Sequence, residues 1–316
     1  MSALAGKDSK NKNMPMTPDT LRAKLQGVVA FPVTPFHDDL SLNLDGLRAN
    51  VRALLKHPLC AIVPGAGTGE FHTLTSDELK AVVEATVEEV GGKVPVLAAA
   101  GVNVHTGALL AKQAAQAGAD GILAFPPYYA TSDTEGLLGY YSAISNATEL
   151  GTIIYSRDWL DPSPALLESL AELLPNLIAL KDGQGDVRKL SRAMATVGDR
   201  LHYLGGAGDD CVAGYYALGI RCYTSSIANV APRLSLKLHE LASAGDFVAL
   251  GKLLAEQVVP LYALRTQRKG YEVSAMKHLM THVGLVGGPV RPPLADIPEA
   301  LLPQLERIAE DWKPWL

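Results

Sequence analysis

The sequence predicts a (β/α)8 barrel followed by a carboxyl-terminal helical region, and three observations support this fold class. Short apolar runs alternate with segments of helical periodicity from residue 27 onward. The alternation repeats eight times, in units of roughly 25 to 30 residues, which is typical of a parallel barrel. No Gly-x-Gly-x-x-Gly motif follows the first run, and this argues against the alternative, a doubly wound open sheet.

Each strand is predicted from a short apolar run, and each helix from the spacing of apolar residues. The predicted strands are residues 27–32, 60–64, 94–100, 121–126, 151–156, 177–181, 202–206 and 221–226. The predicted helices between them are residues 44–56, 76–90, 105–117, 134–149, 165–174, 187–197 and 210–218.

About 90 residues follow the eighth strand, which is more than one closing helix requires. They contain predicted helices at residues 233–244, 246–265, 271–283 and 298–312. We therefore predict three parts: a disordered leader at 1–20, a (β/α)8 TIM barrel at 21–245, and a helical appendage at 246–316. The leader is polar and lacks the apolar core of a signal peptide.

Composition excludes several classes of function. Hydrophobic residues make up 48% of the 316-residue chain and the net charge is -5, so a large core is expected and a nucleic-acid partner is not. The three cysteines show no paired or metal-type spacing, which suits a reducing cytoplasm. No apolar run was found that approaches the roughly 20 residues needed to cross a bilayer, so no membrane partner is predicted. The histidines form no ligand set, and no metal is predicted.

The sixth strand ends in a lysine, Lys181, which is the strongest chemical signal in the chain. A buried ammonium group costs several kcal/mol unless it is paired or loses its proton. A lysine with a depressed pKa is a nucleophile that forms Schiff bases with carbonyl carbon. An ion pair with the adjacent Asp182 is the alternative.

Other polar residues end strands on the same face of the barrel, where loops after the strands build active sites. The glycine-rich turn with Gly67 and Thr68 exposes N–H groups that suit a carboxylate. Tyr155 ends the fifth strand and is a candidate proton relay, and Arg157 follows it as a candidate carboxylate ligand.

The seventh and eighth strands add two further candidates. Gly206 leaves free space near the lysine, and Ser225 supplies a hydroxyl for a polyhydroxylated substrate. Tyr128 and Tyr129, after the fourth strand, are tandem aromatics that favour interface packing.

Together these residues resemble the dihydrodipicolinate synthase / N-acetylneuraminate lyase superfamily of Schiff-base barrels. Within this superfamily, the sequence motifs are most similar to those of the 5-dehydro-4-deoxyglucarate dehydratase family. The matching stretches are residues 31–36, 67–71, 181–186 and 288–294, with Arg157-Asp158 after the tyrosine. Ser156 and Trp159 depart from that family, and residues 205–210 are more similar to the synthase branch.

The resemblance implies dehydration and decarboxylation of a keto-deoxy sugar diacid, with Lys181 as nucleophile, Tyr155 as proton relay and no cofactor. It also implies that Gly67 and Thr68 hold the near carboxylate, that Arg157 meets the far one, and that the chain forms a homotetramer. Alternatives are a pyruvate-dependent aldolase or synthase on the same fold, or a non-catalytic sugar-acid sensor. Gly67 stands where aldolases and synthases place a relay hydroxyl, which favours the dehydratase.

Overall fold

The computed structural model describes residues 16–129 and 132–316. Its eight strands are all parallel and are β1 Gly27–Ala30, β2 Ala61–Ile62, β3 Leu97–Val102, β4 Gly121–Pro127, β5 Gly151–Ser156, β6 Leu177–Asp182, β7 His202–Gly205 and β8 Cys222–Ser225. They are hydrogen-bonded in the order β2-β1-β8-β7-β6-β5-β4-β3. A parallel bridge between Ile62 and Val96 joins the two ends of this sheet. The predicted barrel is thereby confirmed.

Helices surround the barrel and continue beyond it. They are α1 Pro18–Lys24, α2 Leu44–Leu54, α3 Ser76–Val90, α4 Val104–Gln116, α5 Thr134–Ser145, α6 Pro164–Leu173, α7 Val187–Val197, α8 Val212–Ala217, α9 Pro232–Ala244, α10 Phe247–Leu253, α11 Val259–Arg265, α12 Tyr271–His282 and α13 Leu302–Trp312. The strands bury apolar side chains on both faces, as expected for a parallel sheet covered by helices.

Two strands differ from their predicted bounds. Strand β2 has two residues instead of five, since the chain turns at Gly65, which has a φ of 59° in the left-handed region. Strand β3 begins at Leu97 rather than at residue 94. Pro95 has no N–H group to donate, and its carbonyl oxygen instead accepts a hydrogen bond from Ile62.

The amino terminus contains a helix that was not predicted. Residues 1–15 of the predicted leader lie outside the described residues, but residues 18–20 belong to α1, so the predicted end of the leader was wrong. The Thr17 side chain caps this helix. Leu21 and Leu25 are buried among the side chains inside the barrel, beside the first residues of β4 and β5. The helix therefore covers the amino-terminal end of the barrel.

The segment Phe247–Arg265 joins α10, a π-helical turn and α11. It is 19 residues long and contains an 18-residue window with a mean hydropathy of 1.4, which meets the length and composition of a membrane span, contrary to the sequence analysis. These two criteria are weak evidence on their own. Leu250, Val258 and Leu261 on this segment are buried within the protein. Pro260 lies two residues after the π-helical turn and removes one helical N–H donor.

A buried ion pair ties the carboxyl-terminal helices to the barrel. Nζ of Lys277, on α12, lies 2.5 Å from Oε1 of Glu70, which follows β2, and both side chains are at most 1% exposed. The same Nζ donates a hydrogen bond to the carbonyl oxygen of Pro289. The N–H of Arg291 donates to Glu70 Oε2. Glu70 itself has a φ of 60°, so these contacts hold a residue in the left-handed region.

Replacement of Lys277 by Met should lower the free energy of unfolding by about 3–5 kcal/mol, because it leaves the Glu70 carboxylate buried without its partner. Urea unfolding measures this change. The double variant Lys277→Met, Glu70→Gln carries no buried charge and should recover part of the loss. The exposed pair of Lys252 and Glu256 provides the control, since Lys252→Met should cost at most about 1 kcal/mol. A loss no larger than that control would contradict the role of the buried pair.

Candidate active site

One pocket of about 510 Å³ opens at the carboxyl-terminal end of the strands. This volume lies within the range of small-molecule sites. All seven residues that the sequence analysis selected line it: Gly67, Thr68, Tyr155, Arg157, Lys181, Gly206 and Ser225. The structure thus brings together candidates from five different strand ends.

Lys181 lies at the base of this pocket and is only 4% exposed. Its Nζ is 3.3 Å from the carbonyl oxygen of Gly206. It also lies 3.5 Å from the centre of the Tyr155 ring and 5.0 Å from that of Phe31. Among the described residues no carboxylate forms a salt bridge with Lys181.

The alternative of an ion pair with Asp182 does not fit this arrangement. The Asp182 carboxylate accepts hydrogen bonds from the Tyr215 hydroxyl, at 2.9 Å, and from the N–H of Gly185, at 3.0 Å. Neighbouring residues of a strand point to opposite faces, so Asp182 points away from the barrel interior into which Lys181 projects.

The pKa of Lys181 is held well below its usual value, mainly because burial penalises the charged ammonium. The positive charge of Arg157 lowers it further, while Asp182 acts in the opposite direction. A buried lysine with a low pKa presents a neutral amine, which is the nucleophilic form.

Glycines beside Lys181 give it the space that the sequence analysis predicted. A Cβ atom on Gly206 would lie 2.6 Å from Cγ of Lys181 and from the carbonyl oxygen of Asp182. A Cβ atom on Gly205 would overlap the Tyr215 ring. Side chains at these two positions would displace the lysine or the tyrosine that orients Asp182.

Tyr155 pairs with Lys181 in the register of β5 and β6. Burial raises the pKa of its phenol, so the hydroxyl keeps its proton at neutral pH. Its hydroxyl forms no hydrogen bond with another described residue. A protonated phenol that lines the pocket beside the lysine can donate or relay a proton.

The turn after β2 presents two N–H groups at the pocket. Neither Gly67 nor Thr68 donates its backbone N–H to any described residue. The turn is fixed from behind by Thr34, whose hydroxyl donates to the carbonyl oxygen of Gly69, and by the buried ion pair of Glu70. A rigid turn with two free N–H donors suits a carboxylate.

The guanidinium of Arg157 lies beside this turn. A Cβ atom on Gly67 would be only 2.9 Å from Nη1 of Arg157. The guanidinium also lies over the rings of Phe125 and Tyr155, at 5.9 and 5.7 Å. The sequence analysis placed Arg157 at the far carboxylate, whereas the structure places it next to the turn expected to hold the near one.

Ser225 is fully buried and its hydroxyl is saturated. It donates to Oδ1 of Asp209 at 2.5 Å, shares a hydrogen bond with Ser235 at 2.7 Å, and accepts from the N–H of Ala228. No free proton is left to donate to a substrate. The hydroxyl of the neighbouring Thr224 also lines the pocket and forms no hydrogen bond with a described residue.

The sequence analysis missed the contribution of the carboxyl-terminal helices. Tyr262 and Arg265 on α11, and Lys269 before α12, line the pocket. Arg265 donates to the hydroxyl of Ser226 at 3.0 Å. The cluster of basic residues at 265–269 was a possible signal, but only the fold shows that it reaches the barrel mouth.

A (β/α)8 barrel with a buried lysine of lowered pKa in its sixth strand, a phenol beside it and a turn with free N–H groups is typical of Schiff-base barrel enzymes. Comparison with known proteins narrows this class. A sequence profile of the "Dihydrodipicolinate synthetase family" matches residues 24–311. The chain belongs to this family.

Similar proteins fall into two groups. A Methylobacterium radiotolerans protein named "Probable 5-dehydro-4-deoxyglucarate dehydratase" is 38% identical over 94% of this chain and 98% of its own. A protein of the same name from Ralstonia nicotianae is 37% identical over 89% of this chain and 91% of its own. Among solved structures, dihydrodipicolinate synthase from Oceanobacillus iheyensis has a TM-score of 0.88 at 27% identity, covering 94% of this chain and 99% of its own.

Replacement of Lys181 by Met should raise the free energy of unfolding at pH 7, and this gain should shrink as the pH rises. Between the lowered pKa of the folded state and the ordinary value of about 10.4, the unfolded chain holds a proton on this lysine that the folded chain has released. Wild-type stability therefore rises with pH, by up to about 1.4 kcal/mol per pH unit. Denaturant unfolding from pH 7 to 9.5 measures the difference.

The control is Lys252→Met, which removes a lysine whose side chain is 76% exposed. It should produce no comparable gain. A Lys181→Met difference that stays constant with pH would show that the folded protein holds a charged lysine.

Proposed function

We propose that this protein is a lyase that dehydrates and decarboxylates 5-dehydro-4-deoxyglucarate to 2,5-dioxopentanoate, CO₂ and water. The observation that carries the proposal is the buried amine of Lys181, which has no carboxylate partner among the described residues, in a pocket whose position 67 has no side chain. The names of the similar proteins support the same substrate.

The reaction begins when Nζ of Lys181 attacks the keto carbon and water is lost, which forms an iminium. The iminium withdraws electrons, so the neighbouring methylene loses a proton and an enamine forms. The enamine expels the next hydroxyl group, which leaves as water after gaining a proton. The product of this step is a conjugated iminium.

Loss of CO₂ follows from this conjugation. The electron pair of the bond to the far carboxylate flows into the conjugated iminium, and the carbon left behind becomes an enol. The enol tautomerises to an aldehyde, and hydrolysis of the iminium frees Lys181. The scheme requires no metal or organic cofactor, because the lysine serves as the electron sink.

Roles follow from the positions of the side chains. Tyr155 relays protons while the iminium forms, and Gly67 and Thr68 hold the near carboxylate with their N–H groups. Thr224 takes the hydroxyl contact expected of Ser225, whose own hydroxyl is saturated. Gly206 provides the space in which Lys181 forms its adduct.

Arg265 is the cation that meets the far carboxylate. A tight arginine clamp would oppose decarboxylation, because it stabilises the ground state more than the transition state. Arg265 is already hydrogen-bonded to Ser226, and its charge acts on the buried carboxylate of Asp209, whose pKa burial raises to about 6. These interactions weaken its hold on the departing group.

Trapping with borohydride should identify the covalent residue. Reduction in the presence of the substrate should add mass to the peptide that contains Lys181, because only a neutral amine forms the iminium. Turnover of Lys181→Ala should fall below detection. The products of the wild-type reaction are then analysed by NMR, and 2,5-dioxopentanoate with CO₂ is expected. Pyruvate with a three-carbon aldehyde acid would instead assign the protein to the aldolases, and no product at all would favour a sensor.

We further propose that the enzyme is a cytoplasmic homotetramer. Tyr128 and Tyr129 follow β4 and are 83% and 71% exposed, which is unusual for aromatic side chains that have no role in an interface. Light scattering at micromolar concentration should give four times the mass of one chain. The double variant Tyr128→Ser, Tyr129→Ser should dissociate into smaller species, and a wild-type monomer would refute the proposal.

A further inference from the structure

We infer that Gly67 and Arg157 form one steric unit: position 67 has no side chain so that the Arg157 guanidinium can occupy this space and bind the carboxylate next to the reacting carbonyl carbon. This assignment makes Arg157 a specificity-determining residue for α-keto acids. The prediction that Arg157 binds the sugar diacid rests on the proposed function, whereas the prediction that it binds simple α-keto acids does not.

The backbone does not require glycine at position 67. Its φ lies outside the left-handed region, in contrast to Gly65 in the same turn, which has a φ of 59°. A Cβ atom on Gly67 would meet Nη1 of Arg157 at 2.9 Å and Cζ at 3.8 Å, and no other atom of the described residues within 4 Å. The guanidinium is therefore the one described group that opposes a side chain at this position.

Local contacts orient the Arg157 guanidinium. The rings of Phe125 and Tyr155 lie beneath it, and Nε is 3.5 Å from a carboxylate oxygen of Asp158. A short antiparallel bridge to Leu160 fixes the backbone of Arg157. An arginine held against two aromatic faces presents its donors in a fixed plane, and such a plane suits bidentate binding of a carboxylate.

The charge of Arg157 acts at the reacting end of the pocket. It is the second cause, after burial, of the low pKa of Lys181. The guanidinium thus lies close to both the amine and the free N–H groups of Gly67 and Thr68. These three groups surround the position of the carboxylate of an α-keto acid whose carbonyl carbon is attacked by Lys181.

The steric unit also influences the choice of reaction. A side chain at position 67 with a hydroxyl could take a proton from a substrate alcohol during carbon–carbon cleavage. In this protein the guanidinium fills that space, and it cannot accept a proton. Elimination of the hydroxyl group remains available to the enamine, while cleavage lacks the hydroxyl that position 67 would supply.

Pyruvate is the probe that separates the near carboxylate from the far one, because it contains only the former. Borohydride trapping is measured as a function of pyruvate concentration in the wild type, Gly67→Ala, Arg157→Ala and the double variant. We expect Arg157→Ala to raise the pyruvate concentration that gives half-maximal trapping by about 10- to 100-fold, as for loss of a charge-assisted hydrogen bond. We expect about a tenfold loss for Gly67→Ala, whose methyl group displaces the guanidinium.

The double variant decides the inference. Its pyruvate concentration for half-maximal trapping should equal that of Arg157→Ala within about twofold, because the methyl group at position 67 then has no guanidinium to displace. Such non-additivity is typical of residues in contact. As a control, addition of Lys252→Met, an exposed change outside the pocket, should leave the fold-loss of Gly67→Ala unchanged. Independent, multiplying losses for Gly67 and Arg157 would overturn the inference. So would unchanged pyruvate trapping in Arg157→Ala combined with lost turnover of the diacid. If Gly67→Ala alone does not fold but the double variant does, the steric unit is equally supported.

A pH profile provides a readout that a purely structural role would not change. The groups that act on Lys181 are Tyr155 from β5, Arg157 after β5, the Gly206 carbonyl, the Phe31 ring and, through its charge, Asp182 on the opposite face of β6. Removal of the Arg157 charge should shift the acid limb of trapping to higher pH, and an unshifted limb would count against the inference.

Wild-type trapping by pyruvate without CO₂ release from the diacid would refute the proposed function and leave this inference intact.

Discussion

The burial of an unpaired lysine amine is the constraint on which the rest of this structure depends. Lys181 reaches the barrel interior with no salt-bridged carboxylate among the described residues, and it contacts only a carbonyl oxygen and two aromatic faces. This environment is unfavourable for the ammonium form. The fold sustains it because a covered parallel barrel supplies a large apolar core around the strand. The protein thus gives up some stability to keep a lysine whose pKa is lowered.

The carboxyl-terminal helices are part of the site rather than an addition to it. The pair of Lys277 and Glu70 holds the turn that carries Gly67 and Thr68. The same helical region brings Arg265 to the mouth of the pocket. The carboxyl-terminal helices therefore contribute in two ways, since they fix the position of the turn after β2 and supply charge to the pocket.

The structure places two of the predicted site residues in surroundings that differ from those expected. Ser225 has a hydroxyl at the end of β8, but Asp209, Ser235 and Ala228 use all of its hydrogen-bonding capacity. The guanidinium of Arg157 is suited to bind a carboxylate, but it lies beside Gly67 rather than at the far end of the pocket. In both residues the neighbours in space, and not the residue type, decide the role.

The sequence alone determined the barrel, because eight apolar runs with helical segments between them leave few other folds. It also selected Lys181, since a lysine that ends a buried strand is chemically unusual. Tertiary structure decided what depends on contacts between distant residues. The contacts of α1 with the barrel interior, the Glu70–Lys277 pair and the approach of Arg157 to Gly67 join residues from 90 to about 200 positions apart. Local sequence patterns carry no information on such distances, because these contacts form only when the barrel closes.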